Sequence, residues 1–242
     1  MAANIETTLR EFSKIGLFSH NPHNGIGLWP EEQELLLTLV GESKKYFEIG
    51  SHNLGSALLV EKHAEAMNLS RDIFALDLKF SPWARLNYQR AKSSIMQLEC
   101  SSNDLLNYKE DLKGVDFVFI DGFHSFRQVV KDFCLSSSLM TNGGIIAFHD
   151  TSPNLNKPEH RAKCTKFAHD NLEYLNNDES ENFYMDEAIC YVLDTYKGAT
   201  LELIDCTIEC YHPRETRLTS WIRGKTSPHS AIWAMKVTKN ES

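Results

Sequence analysis

The sequence predicts an α/β fold, a mostly parallel sheet flanked by helices within one domain. Three observations predict it. Short β-branched and aromatic runs alternate with stretches of helical period, the pattern of βαβ units. One such unit, Val115–Asp150, places polar residues after both of its strand-like runs: Asp121 and His124 after the first, His149 and Asp150 after the second. Two late apolar runs, Thr200–Ile204 and Ala231–Val237, add further strands. Ligands of open parallel sheets bind outside the carboxyl ends of the strands, so the central unit is also the first candidate for a site.

The elements follow in order. Ile5, Leu9, Phe12 and Leu17 recur near the helical period, predicting an amphipathic helix over 5–17. SHNPHNGIG is a loop by its Asn, Gly and Pro content. Pro30, with Glu31 and Glu32 behind it, opens a helix through Leu35–Val40: proline loses nothing in the first turn and acids suit the dipole's positive end. Lys44–Ile49 is a strand, Gly50–Gly55 a turn, and Ser56–Met67 a helix. Arg71–Leu76 is a second strand ending at Asp77, and Ser81-Pro82 caps and starts the next helix. Ser94–Leu98 is a third strand, followed by a helix over Ser101–Tyr108. Beyond Asp150, residues 151–181 are polar and show little period until Thr165, which predicts an irregular insertion beside a strand end. Asn182–Tyr196 is a helix. The expected organisation is a single domain over 1–242, with residues 1–43 as a helical extension and 151–181 and 205–230 as substrate-side insertions.

Composition bounds the function. Hydrophobic content of 42% and charged content of 24% are those of a globular domain, and the net charge of −8 argues against a general nucleic-acid binder while leaving room for a local basic patch. No apolar run approaches the roughly 18 residues of a membrane span. The first residues, MAANIETTLREF, hold acids and no apolar secretory core. The six cysteines lack a C-x-x-C pair, which predicts reduced thiols in a cytoplasmic protein. Cys206, Cys210 and His212 are close enough to suggest a metal, although incidental thiols are the commoner reading of one such cluster. Association into a homo-oligomer is compatible with all of this.

The turn YFEIGSHNLGS sets the carboxylate of Glu48 near a strand end and glycines at 50 and 55. Gly50 allows a sharp turn and close approach of a ligand to the backbone. The spacing differs from the G-x-G-x-x-G dinucleotide fingerprint. Asp77 ends the next strand, where a carboxylate can accept from both hydroxyls of a ribose. Alone, an aspartate there is most often a helix cap; with the glycine turn it points to a nucleoside-containing cofactor.

EIGSHNLGS, Asp77, FIDGFHSF and NGGIIAFHD together resemble class I S-adenosylmethionine-dependent methyltransferases. The resemblance is to the branch patterned I-D-G-x-H-S and G-G-x-I-x-x-H-D (methyltransferase family 24-like), and it covers Tyr46–Asp150. It implies a Rossmann-like sheet ending in an antiparallel hairpin, into which the two late strands fit. It implies S-adenosylmethionine as cofactor, with Glu48 and Gly50 at its amino-acid end, Asp77 on the ribose and Ser101 or Ser102 near the adenine. Ser51, Gly55 and Asp121 complete the implied cofactor set. Leu54 stands where many relatives carry glycine, which leaves close backbone approach to Gly55.

Methyl transfer from a sulfonium needs alignment and, for a hydroxyl acceptor, removal of a proton. Asp121, His149 and Asp150 end neighbouring strands and are expected to hold a divalent metal such as Mg²⁺, or the substrate hydroxyl. His124 or His149 is the expected base. Some sugar-modifying relatives carry a second acid where this chain has Phe123, which cannot take a proton. Arg214, Arg217, Arg223 and Lys225, with Tyr211 and Trp221, are candidates to recognise an acidic or ring-bearing substrate. The expected activity is O-methylation of a small molecule, a sugar or a secondary-metabolite-like acceptor. The competing readings are a cofactor-binding partner protein that has lost catalysis and a nicotinamide-dependent oxidoreductase. Cofactor calorimetry separates them.

Overall fold

Seven strands form one sheet: β1 (Lys45–Ile49), β2 (Asp72–Asp77), β3 (Met96–Glu99), β4 (Val115–Ile120), β5 (Met140–Thr151), β6 (Ala199–Ile204) and β7 (Ala231–Lys239). Their order is β3-β2-β1-β4-β5-β7-β6. Strands β1 to β5 pair in parallel and β7 runs antiparallel to both β5 and β6. The expected sheet with a late antiparallel hairpin is therefore present. In this computed structural model the described residues are 2–14, 27–91, 93–178, 183–204, 206 and 231–240. Arg214, Arg217, Arg223, Lys225, Tyr211, Trp221, Cys210 and His212 lie outside them.

The helices are α1 (Ala2–Lys14), α2 (Pro30–Val40), α3 (Gly55–Ala66), α4 (Pro82–Ala91), α5 (Lys109–Leu112), α6 (Phe126–Leu139), α7 (Pro158–Asp170), α8 (Leu172–Asn177) and α9 (Met185–Thr195). Proline opens α2, α4 and α7, and the Ser125 hydroxyl accepts from the Gln128 amide at the start of α6. Ser102–Tyr108 is a 3₁₀ helix capped by Ser101. Among the described residues no helix is long and apolar enough to cross a membrane.

Strands buried on both faces need a core on each side, and two are present. Phe47, Ile49, Val118, Ile120 and Phe148 pack with α6, α7, α8 and α9 on one face. Tyr46, Phe117, Phe119 and Ala147 pack with α2 and α3 on the other. Successive side chains alternate between these faces. Glu48 therefore joins Tyr46 on the α2/α3 side, and Asp121 and His149, next after Ile120 and Phe148, turn the same way.

The irregular insertion expected over 151–181 is instead mostly helical, a short 3₁₀ turn (Pro153–Asn156) followed by α7 and α8. Leu155, Cys164, Ala168 and Leu175 bury against the sheet's first core. That stripe is narrow, and the Lys, Glu and His around it mask its period in the sequence. Helix α7 packs along α9.

Candidate active site

The strand order reverses between β1 and β4, the topological switch point at which open α/β sheets bind ligands. Gly50 follows β1 with φ +91, and a Cβ there would overlap the Asp121 carbonyl and stand 2.6 Å from Gly122 Cα. Only glycine lets the two strand ends close on each other, and the Asp121 amide then donates to Ile49 O at 2.8 Å. Beside this junction opens a cavity of about 500 Å³, lined by Gly50, Asp77, Ser101, Ser102 and Asp121 among others.

Asp77 is held in place by its own loop: its two oxygens accept from the His52 and Lys79 amides at 2.7 and 3.0 Å. At the far end of the cavity Gln128 donates to Ser102 Oγ at 2.9 Å and to Asp132 at 2.7 Å. Burial pushes the Asp132 carboxyl up to about 6. Gln128 and Asp132 escape sequence reading because polar residues one turn apart on an amphipathic helix resemble a solvent face. Phe123 forms part of the rim and is 46% exposed.

Glu48, Ser51 and Gly55 do not line this cavity. Glu48 is fully buried beneath it and accepts from the Tyr46 hydroxyl at 2.8 Å and from the Ser56 hydroxyl. Burial raises its carboxyl to about 7, against the downward pull of those hydroxyls. Ser51 is buried, and its carbonyl accepts from the Leu54 amide. The Gly55 amide is occupied by Asn53 Oδ1 at 3.0 Å. Leu54 takes the left-handed conformation, φ 67, that glycine adopts without cost.

On the opposite side of Asp121 stands a polar cluster. His149 places Nδ1 2.9 Å from Asp121 Oδ1 and Nε2 3.4 Å from Glu32 Oε1. Burial alone would lower the His149 pKa, but Asp121, Glu32 and Asp150 hold it well above the ordinary histidine value. Burial would raise Asp121; His149 and His124 outweigh it and keep the carboxyl at about 2. His149 thus has a carboxyl oxygen facing each ring nitrogen, an arrangement that favours its protonated form. Both of its ring nitrogens, expected to serve as ligand or base, face protein carboxyls here.

His124 stands on the other side of Asp121 Oδ1. Its Nε2 lies 3.7 Å from Asp121 Oδ1 and 3.5 Å from Asp150 Oδ2, long for hydrogen bonds, and among the described residues this buried nitrogen has no hydrogen-bond partner. Ligand atoms of Asp121, His124 and Asp150 all lie within 4.8 Å of one another. Asp150 reaches the cluster through a bulge near the end of β5, with φ 55, a conformation that aspartate tolerates better than most residues. The His124 ring stacks on Phe183 at 4.9 Å. Glu32, from the N-terminal extension, is the residue of this cluster that sequence reading missed. It also accepts from the Trp29 amide at 2.8 Å, capping α2. Its only signal in the sequence is that of a first-turn acid.

Residues 47–151 match the family described as Methyltransferase domain. The chain's fold is shared with the O-methyltransferase of Bacillus cereus, solved with SAH: TM-score 0.57, 16% identity, 98% of this chain and 91% of that one covered. It is shared also with the O-methyltransferase TomG of Streptomyces achromogenes, involved in tomaymycin synthesis and solved with SAM. There the TM-score is 0.57 and the identity 12%, over 96% of this chain and 90% of that one. No curated protein matched the sequence significantly. The matched span runs from inside β1 to the end of β5, so it holds the glycine turn, Asp77 and the whole Asp121–His124–Asp150 cluster, while Glu32 reaches in from outside it.

Proposed function

We propose that the protein transfers the methyl group of S-adenosylmethionine to a hydroxyl of a small molecule, a sugar or a secondary-metabolite-like acceptor. The observation that carries this reading is the position of Asp121. It lines the cavity at the switch point and also belongs to the cluster with His124 and Asp150, so donor and acceptor would meet across one side chain. On the donor side Asp77 would accept from the ribose hydroxyls, with Ser102, Gln128 and Asp132 around the base.

Transfer is an in-line displacement. The acceptor oxygen attacks the methyl carbon, the carbon–sulfur bond breaks, and S-adenosylhomocysteine leaves as a neutral thioether. The hydroxyl proton passes to His124 Nε2, the buried nitrogen without a partner. His149, fixed between Asp121 and Glu32, is a positioning residue that keeps the Asp121 carboxylate ionised and aimed.

The cluster supports a second reading. Two carboxylates and an imidazole are a donor set that suits a divalent cation such as Mg²⁺ or Mn²⁺, and the unpartnered His124 nitrogen fits it. Asp121, His124 and Asp150 would hold the ion, which would supply Lewis acidity that lowers the pKa of a hydroxyl.

Calorimetry with S-adenosylmethionine, followed by turnover on a panel of sugars, phenols and amines with and without exhaustive chelation, tests both readings. Methylation of a hydroxyl that survives chelation and is lost in His124→Gln supports the base. Activity lost on chelation and restored by Mg²⁺ or Mn²⁺ supports the ion. Methylation of amines alone overturns the proposed acceptor class.

A further inference from the structure

A second group of metal-type donors lies away from the crevice, between α7 and α9. Each helix presents two donors one turn apart: His160 and Cys164 on α7, Asp186 and Cys190 on α9. Residues at i and i+4 share one face of a helix, so packing α7 against α9 brings two donor pairs together. His160 Nε2 is 2.7 Å from Asp186 Oδ2 and 3.5 Å from Cys164 Sγ. Ligand atoms of His160, Cys164 and Asp186 all lie within 4.8 Å of one another. Cys190, one turn beyond Asp186 on the same face of α9 and 1% exposed, is a neighbour of Cys164 and offers the group a second sulfur.

We propose that His160, Cys164, Asp186 and Cys190 form a structural zinc site with two sulfur, one nitrogen and one oxygen donor. Structural zinc takes four such ligands in a tetrahedron, and paired thiolates with imidazole select it over magnesium or calcium. Cys164 and Cys190 are 5% and 1% exposed, while the His160 side chain is 30% exposed. The sulfurs thus form the floor of the site and the imidazole its entrance. Asp186 Oδ1 accepts from the Ser152 amide at 2.9 Å, leaving Oδ2 turned toward His160; an outer-shell bond of this kind orients a ligating carboxylate. Zinc binding exchanges the two thiol protons for the ion and releases them to solvent.

The bland alternative is a His–Asp ion pair beside two cysteines packed as small apolar residues. It accounts for each pair singly, but not for two i, i+4 donor pairs facing each other with the sulfurs innermost. The consequence for the fold is specific. Asp186 ties α9 to Ser152, the residue following β5, so the ion would lock α7 and α9 to the strand that carries Asp150. The site uses none of the residues of the proposed methyl transfer and stands or falls independently of it.

The test is cobalt titration of the full chain under reducing conditions, read by absorption. The expected result is a thiolate-to-cobalt charge-transfer band with intense tetrahedral visible bands, saturating at one equivalent and bleached by zinc. The Asp121 cluster offers no sulfur and cannot produce that band. Cys164→Ser with Cys190→Ser is expected to abolish it, and Cys206→Ser to leave it unchanged. X-ray absorption at the zinc edge of the loaded wild-type protein, which depends on no variant, should show two sulfur ligands near about 2.3 Å. An absent band, a band that survives the double substitution or is lost with Cys206→Ser, or a purely nitrogen and oxygen shell each overturns the proposal.

Discussion

Asp121 serves two neighbours: its backbone closes on Gly50 and its carboxylate on His149. Replacing it with asparagine keeps the shape and removes the charge that the His149 ring faces. Asp121→Asn is expected to lower kcat by roughly 10²–10⁴-fold, with S-adenosylmethionine affinity changed far less; turnover and calorimetry on the same preparation check this. Gly50→Ala tests the backbone half. The added methyl would overlap the Asp121 carbonyl, and the left-handed φ adds strain of order 1–3 kcal/mol, so thermal unfolding should show a marked loss of stability. Leu54→Gly sets two effects against each other. Relieving the left-handed conformation regains about 1–2 kcal/mol, but emptying a fully buried leucine site costs about 2–5 kcal/mol. The burial term is the larger, and denaturant titration should find the glycine variant less stable.

Among the elements, α2 gives the extension a part in the site. Glu32 caps its own helix and faces His149, and both side chains are nearly buried. Glu32→Ala takes one of the two facing carboxyls away from the buried His149 ring. Breaking such a pair costs about 3–5 kcal/mol, so a fall in melting temperature should accompany the loss of activity. Strand β1 carries another buried carboxyl. Glu48 holds its proton more tightly folded than unfolded, so it is stabilising at low pH and costs stability as pH rises from about 4.5 to about 7. Asp132 acts in the same direction up to about 6. Glu48→Gln should therefore flatten the melting temperature between about pH 5 and 7. Strand ends were legible in the sequence because apolar runs stop abruptly at polar residues, which located Gly50, Asp77, Asp121 and Asp150. The roles of the two histidines were not. Which of them is clamped depends on the bulge at Asp150 and on a glutamate from a distant helix, and neither leaves a periodic trace.

For the whole molecule, the sheet order makes the site. With β1 and β4 adjacent and their helices departing to opposite faces, a crevice must open between Gly50 and Asp121, and a strand-by-strand reading already assigned the residues beside it. The helical character of 151–178 was hidden by its polarity, and with it the packing of α7 on α9. On the proposed reading this crevice separates a cofactor side at Asp77 from an acceptor side at His124. The most direct test is calorimetric titration of S-adenosylhomocysteine into wild type, Asp77→Asn and His124→Gln. Losing one charged hydrogen-bonding oxygen at about 1.5–3 kcal/mol should weaken binding to Asp77→Asn by roughly 10–100-fold, while His124→Gln binds as the wild type does and fails to turn over. Absence of binding to the wild type, or binding to Asp77→Asn at wild-type strength, would contradict the account.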